Sequence, residues 1–198
     1  MYSGQIALWD TRAKSLPVLK TPLSSGHTHP VYDMKIVGSQ GSHSLISSSS
    51  DGLICSWQLD MLTQPTESLE IIHPSHPKTE ELAVTCFDFP ENELSTFWIG
   101  TEEGNIYQAN RYDRAGLKAG LGQEMYTGHS GFITGMHFHP LNSLVDFSEL
   151  VVSSSIDWTV QLWRAKVCLF LQFMPLTLFI ADQQEFERRR DAVTDLHV

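Results

Sequence analysis

Hydrophobic and polar residues alternate along most of this chain, in short segments separated by polar or glycine-containing turns. Residues 31–37 (VYDMKIV) alternate as a half-buried strand does, and the pattern leaves open whether the odd-numbered or the even-numbered side chains face inward. The run LISSSS, Asp-Gly and LICSW predicts a tight hairpin at residues 45–57. Further strands are predicted at residues 83–89, 96–101 and 105–111. The chain is therefore predicted to be all-β.

Two stretches of the chain, residues 25–61 and 127–166, repeat one order of unusual residue types. Each has a Gly-His pair, then a serine-rich strand, then a turn aspartate, and finally a closing tryptophan. The aspartate and the tryptophan are separated by the same interval in both copies. A histidine can hydrogen-bond a strand hydroxyl, the aspartate can hold the histidine, and a buried tryptophan N–H needs an acceptor. The residues predicted to form this structural network are His27, Asp51 and Trp57 in the first copy and His129, Asp157 and Trp163 in the second.

This order of landmarks is typical of the WD repeat, in which each copy forms one blade of a β-propeller. Two weaker copies accompany the complete ones. SGQIALWD at residues 3–10 aligns Trp9 with Trp57, and the middle copy aligns Glu103-Gly104 with Asp51-Gly52 and has Ala109 at the tryptophan position. The predicted fold is thus a partial WD-repeat propeller of about three blades plus one strand. Its units are expected at about residues 1–12, 25–62, 81–113 and 127–166.

The residues after the last unit, 167–198, form a tail that is predicted not to belong to the repeat. The tail begins with the nearly unbroken apolar run VCLFLQFMPLTLFI. That run is shorter than the roughly 20 residues of a membrane-spanning helix, so no membrane insertion is predicted. Since the repeat pattern stops abruptly at Lys166, we expect an alternative or mispredicted exon junction there.

Composition narrows the range of functions. The formal net charge is −10, which argues against nucleic-acid binding because a phosphate backbone requires clustered Lys and Arg. The three cysteines are odd in number and far apart, which suits a reducing compartment, and no secretory signal precedes the first strand. We therefore expect a cytoplasmic protein.

Several kinds of chemistry are tempting but not supported by the sequence. Ser, His and Asp recur together, yet no GxSxG-type nucleophile elbow is present. Because the same set of residues occurs twice, a structural role is favoured over a catalytic one. The pairs His137/His139 and His73/His76 lack further ligands at zinc spacing. The glycine-rich segment 114–122 lacks the ending of a phosphate loop and is predicted to be a connection. We predict no catalytic residue, no cofactor and no metal.

The segments between the landmarks resemble the cytoplasmic dynein intermediate chain over roughly residues 1–166. The similar segments are CSWQLDML (55–62), GTEEGNIYQANR (100–111) and SSIDWTVQLWRAK (154–166). The resemblance implies a non-catalytic scaffold subunit of the dynein motor, associated with microtubules, whose WD-repeat propeller binds the tail of the dynein heavy chain. An adaptor from another complex, such as a ubiquitin-ligase substrate receptor, is the alternative.

The resemblance is limited in what it implies about partners. In that family an extended N-terminal region binds light chains and dynactin, and since no such region is found here those two partners are not inferred. Closed propellers have typically four to eight blades. An arc of about three blades leaves strand edges unpaired, so we expect low stability for the chain by itself.

Overall fold

The alternating pattern produces strands wherever it is strong. The computed structural model describes residues 2–12, 16–39, 42–72, 81–91, 93–112, 120–140 and 148–164. Within them the strands are β1 (Ala7–Leu8), β2 (Leu19–Lys20), β3 (Val31–Ser39), β4 (Ser42–Ser49), β5 (Leu53–Gln58), β6 (Glu67–Glu70), β7 (Val84–Asp88), β8 (Thr96–Thr101), β9 (Asn105–Asn110), β10 (Gly120–Thr127), β11 (Ile133–Phe138), β12 (Leu150–Ser155) and β13 (Val160–Arg164). The all-β prediction is confirmed. The predicted tail, His73, His76 and Cys168 lie outside the described residues.

The described strands form four antiparallel sheets in chain order. The N-terminal fragment is a pair, β1–β2, followed by a first sheet β3–β4–β5–β6, a second sheet β7–β8–β9–β10 and a third sheet β11–β12–β13. In each of the three larger sheets, successive strands are neighbours, as in a propeller blade. The predicted connection at 114–122 is wrong in its last three residues, because Gly120 pairs with Asn110 and Leu121 with Ala109 at the start of β10.

The three larger sheets share an irregularity at the same place. The first strand of each larger sheet, β3, β7 or β11, is called its inner strand below. The register shifts near the start of each inner strand, between Val31 and Asp33 in β3, between Val84 and Cys86 in β7, and between Ile133 and Gly135 in β11. A bulge of this kind bends the strand and re-aims the side chains that follow. The shared bulge makes β3, β7 and β11 equivalent, so residues at equal distances beyond it correspond.

Neighbouring sheets pack face to face and bury their apolar residues between them. Ile46 and Ile54 of the first sheet join Phe97 and Ile99 of the second in one core cluster. A second cluster unites the second and third sheets and contains Trp98, Ile106, Ile133 and Phe138. The question of which side of β3 faces inward is settled: Asp33, Lys35 and Val37 contact the second sheet, whereas Tyr32, Met34 and Ile36 are exposed.

The turn between the second and third strands of a sheet contacts the connection that leads to the next sheet. Gly52 and Gly104 occupy this turn with φ of 73° and 85°, and Gly4, which aligns with Gly52 and precedes β1, has φ of 69°. A Cβ on Gly104 would lie 2.7 Å from the backbone oxygen of His129. Glycine is therefore required twice over, for the left-handed backbone and for the close approach.

Candidate functional site

The first sheet places the predicted histidine, aspartate and tryptophan around one serine hydroxyl. His27 Nε2 lies 2.7 Å from Ser47 Oγ, and Trp57 Nε1 donates to the same oxygen at 2.9 Å. On its other side the imidazole has Nδ1 3.3 Å from Asp51 Oδ1. All four residues are buried, and Ser47 is 0% exposed. We call each such set of four residues a quartet.

One arrangement of protons satisfies every member of this quartet. The indole N–H of Trp57 can only donate, so Ser47 Oγ accepts from it and turns its own hydrogen toward His27 Nε2. In this arrangement the imidazole accepts at Nε2 and donates from Nδ1 to Asp51. Burial by itself would raise the pKa of Asp51, but the hydrogen bonds from His27 and from the backbone N–H groups of Thr28 and Leu53 outweigh it and hold that pKa well below its ordinary value.

The third sheet builds the same quartet with one added hydroxyl. Ser153 Oγ lies 2.7 Å from His129 Nε2 and accepts from Trp163 Nε1 at 2.7 Å. His129 Nδ1 is 3.3 Å from Asp157 Oδ2 and 3.0 Å from Thr159 Oγ1, which itself donates to Asp157 at 2.6 Å. Burial lowers the pKa of His129 more than the Asp157 carboxylate raises it, so the neutral imidazole is favoured in the third sheet.

The carboxylate of the third sheet is held ionised by the same kind of contacts. Burial would raise the pKa of Asp157, but the hydroxyl of Thr159 and the backbone N–H groups of Ser130 and Thr159 lower it well below its ordinary value. Ser130 N donates at 2.9 Å and Thr159 N at 2.9 Å. The aspartate therefore ties the Gly-His connection to the β12–β13 turn.

The second sheet has no quartet among its described residues, and apolar residues occupy the positions of the serine and the tryptophan. Ser47 pairs with Cys55 in the first sheet, and Ile99 pairs with Tyr107 at the equivalent place in the second. Ala109, which stands at the closing tryptophan position, has no N–H that needs an acceptor. Packing of buried Ile99, Tyr107 and Ala109 therefore replaces hydrogen bonding in this sheet.

The quartets do not present a nucleophile. Ser47 and Ser153 are each 0% exposed, and each hydroxyl oxygen already accepts a tryptophan N–H. A hydroxyl that no substrate can reach does not attack one. The geometry instead lets each quartet cross-link three places in its sheet: the entering connection, the second strand and the third strand.

Two cysteines in the described residues are buried between the strands. Burial raises the pKa of both Cys55 and Cys86 to about 12. They are therefore protonated thiols at neutral pH and act as small apolar side chains. No group of three or more His, Cys, Asp or Glu able to hold a metal occurs in the part of the chain that the structure describes.

A chain of polar contacts across all three inner strands is missed by sequence reasoning. Lys35, Asp88 and His137 stand at equivalent distances beyond the bulges of β3, β7 and β11. Asp88 Oδ1 lies 2.5 Å from Lys35 Nζ, and its Oδ2 lies 2.9 Å from His137 Nδ1 and accepts from the backbone N–H of Phe138 at 2.7 Å. The signal in the sequence is the single carboxylate inside the apolar segment AVTCFDF. His137, considered above as a metal ligand, is thus paired with a carboxylate.

A cavity of about 310 Å³ opens between the first and second sheets. Its wall combines apolar residues such as Ile54 and Phe97 with polar ones that include Glu67 and Arg111. The Arg111 guanidinium is occupied by Glu67 at 3.0 Å and by Ser56 Oγ at 3.1 Å. The arginine therefore links the two sheets and is not available as a free anion site.

The comparisons with known proteins agree with this architecture. Residues 19–58 and 122–164 match the family described as "WD domain, G-beta repeat". These ranges contain both quartet strands, and the WD-repeat prediction is confirmed. Among the described residues no helix has the length and hydropathy needed to cross a membrane.

A curated relative extends the similarity beyond the repeat. The chain is 46% identical over 167 residues to the cytoplasmic dynein 1 intermediate chain of Drosophila melanogaster, across 83% of this chain. The chain spans 24% of the length of that relative. The predicted family resemblance is thereby confirmed. This chain carries WD repeats and is a homologue of the dynein intermediate chain over the segment that the two share.

Proposed function

We propose that this chain is a non-catalytic scaffold segment of the cytoplasmic dynein complex and that its sheets bind the tail of the heavy chain. The observation that carries the proposal is the 46% identity over 83% of the chain to a dynein intermediate chain. In this function the chain works in the cytoplasm, on microtubules, through the motor.

The organisation of the polar groups supports a scaffold. The serines and histidines that could do chemistry are buried in the two quartets, where every polar atom has a structural task. The exposed groups among the described residues include apolar side chains of the first and third sheets, such as Ile36 at 63% and Leu162 at 42% exposure. Exposed apolar residues on a stack of rigid sheets favour binding to other polypeptides.

The units predicted from the sequence remain our proposal for the repeat boundaries, at about 25–62, 81–113 and 127–166. Each unit then carries the inner three strands of one sheet. The outer strands β6 and β10 lie between units, and the pair β1–β2 begins within the N-terminal unit, residues 1–12.

Affinity capture tests the proposal. The full 198-residue chain is immobilised beside the corresponding segment of the Drosophila relative, and both are offered a purified N-terminal tail fragment of a cytoplasmic dynein heavy chain. We expect both to retain the fragment. Retention by the relative's segment but not by this chain refutes heavy-chain binding while leaving the homology intact.

A further inference from the structure

The sulfur of Met125 accepts a hydrogen bond from a buried tyrosine. Met125 stands directly opposite Tyr107 in the pairing of β10 with β9, so the two side chains lie on the same face of the second sheet. The Tyr107 hydroxyl donates to Met125 Sδ at 3.3 Å. Tyr107 is 1% exposed, so water does not readily reach its hydroxyl, whereas Met125 is 53% exposed. An exposed thioether therefore covers a buried phenol.

The Tyr107 hydroxyl has a weak acceptor in this contact. Burial raises the pKa of Tyr107, the charge of Glu103 raises it further, and the side chain of Asn105 lowers it by less. The phenol therefore keeps its proton at neutral pH and remains a donor. A thioether sulfur accepts hydrogen bonds only weakly, so this buried donor would gain from a stronger acceptor at the same place.

The other described methionines provide comparisons within the chain. Met34 is 51% exposed and Met61 57%, and neither sulfur accepts a hydrogen bond from the described residues. Met136 is 8% exposed and lies in the core cluster between the second and third sheets. Exposure therefore does not distinguish Met125 from Met34 and Met61, but the tyrosine donor does.

Oxidation converts a methionine sulfur into a much stronger acceptor. With hydrogen peroxide as the oxidant, a sulfur lone pair attacks one peroxide oxygen, so that an S–O bond forms and the O–O bond breaks. The departing hydroxide takes the proton from the oxygen on sulfur and leaves as water. Sulfur is thereby oxidised by two electrons and the peroxide is reduced by two. The product is a sulfoxide, which is polar and can be reduced back to the thioether.

We propose that Met125 is a redox-modification site, oxidised by hydrogen peroxide to a sulfoxide whose oxygen accepts a hydrogen bond from the Tyr107 hydroxyl. The three rotatable bonds of methionine let the side chain turn the new oxygen toward the phenol. Methionine oxidation commonly disrupts apolar packing. At this position it satisfies a buried donor, so the pairing of β9 with β10 is retained while the outer strand of the second sheet becomes more polar. The inference does not depend on the heavy chain being the partner.

The test measures the urea unfolding midpoint of the full chain by circular dichroism, before and after one fixed treatment with hydrogen peroxide. Peptide mass spectrometry gives the fraction of sulfoxide at each methionine. We expect Met125 to be oxidised to an extent similar to that of Met34 and Met61, and Met136 to be protected by its burial.

Two variants isolate the contact. Tyr107→Phe keeps the ring in the core and removes only the hydroxyl, and Met125→Leu keeps an apolar side chain that peroxide does not oxidise. All other methionines are the same in the three chains. We expect the treatment to leave the midpoint of the unchanged chain roughly 0.5 M urea higher, relative to its untreated value, than that of Tyr107→Phe, because only the unchanged chain gains the hydrogen bond to the sulfoxide. The shift in Met125→Leu should lie between the two.

Three results would overturn the proposal. Equal shifts in the unchanged chain and Tyr107→Phe would show that the hydroxyl does not hold the sulfoxide. A larger fall in the unchanged chain than in Met125→Leu would show that oxidation at this position disrupts the sheet, and this comparison remains decisive if Tyr107→Phe does not fold. Protection of Met125 to the level of Met136 would show that peroxide does not reach the sulfur.

Discussion

The serine at the centre of the first quartet offers the sharpest test of the architecture. Ser47 Oγ contacts both His27 Nε2, at 2.7 Å, and Trp57 Nε1, at 2.9 Å. Ser47→Ala deletes this oxygen. The imidazole Nε2 then loses its hydrogen-bond donor, and the indole N–H loses its acceptor. Trp57 is 1% exposed and His27 4%, so water does not readily take its place.

The size of the effect follows from the two orphaned groups. A buried donor or acceptor that loses its partner costs about 1–3 kcal/mol. Two such groups give a loss of roughly 2–6 kcal/mol in the free energy of unfolding. The total free energy of unfolding of most domains is only about 5–15 kcal/mol, so this loss is a large fraction of the stability.

The adjacent residue on β4 supplies the control. Ser48 is also 0% exposed, but its Oγ has no hydrogen-bond partner. Ser48→Ala removes a hydroxyl that is buried and unsatisfied, so we expect stability to be unchanged or higher by about 1 kcal/mol. The two variants share strand, residue type, burial and volume change; their side chains lie on opposite faces of β4, and only Ser47 belongs to the quartet.

Urea unfolding of the full chain, followed by tryptophan fluorescence at neutral pH, measures both variants. We expect the midpoint to fall strongly for Ser47→Ala and to stay or rise for Ser48→Ala. A midpoint for Ser47→Ala within error of the unchanged chain would show that the quartet does not stabilise the sheet. Equal losses in the two variants would assign the effect to the strand in general.

Three further predictions concern the turns and the titrating groups. Trp158 has φ of 65° and is 87% exposed. Trp158→Gly should raise the free energy of unfolding by about 0.5–1 kcal/mol in the same urea assay, because relief of left-handed strain exceeds the entropy cost of glycine; a loss would contradict the strain argument. Gly104→Ala should cost about 2 kcal/mol or more, since its φ is 85° and the Cβ would lie 2.7 Å from a backbone oxygen; unchanged stability would refute the close contact. The unfolding midpoint should fall as the pH is lowered. Below about pH 6.5 His129 takes up a proton more readily in the unfolded chain than in the folded one, because its pKa is lowered in the fold. Below about pH 4 the midpoint should fall more steeply, because Asp51 and Asp157, whose pKa values are lowered in the fold, stabilise it only while they are ionised. A midpoint that rises as the pH is lowered would contradict the lowered pKa values of these three groups.

Much of the fold and of the quartets is predictable because it rests on local pattern. Alternation identifies the strands, and the repeated order of Gly-His, serines, aspartate and tryptophan identifies the residues that meet in the first and third sheets. The prediction was wrong where pattern is weak, as at Gly120 and Leu121, which pair with β9 although their composition suggests a connection. A strand edge with unpaired groups can recruit such residues despite their low strand propensity.

Other features depend on contacts that no single segment contains. The pairing of Asp88 with Lys35 and His137 joins three strands from three sheets, and only their stacking shows that the carboxylate is satisfied. The inner face of β3 is ambiguous in the sequence, because polar and apolar residues occur on both sides of the strand. Burial of Asp33 and Lys35 against the second sheet, with Met34 and Ile36 exposed, reverses the simple rule that the apolar side faces inward.

The sequence by itself determined the strand order, the two quartets and the family, because each is written in residues close together or repeated at a fixed interval. The tertiary structure decided which polar groups cross between sheets, why the turn glycines are required, and that Trp158 is strained and exposed. These depend on how near one sheet approaches the next, a distance that is set by the packing of side chains far apart in the chain.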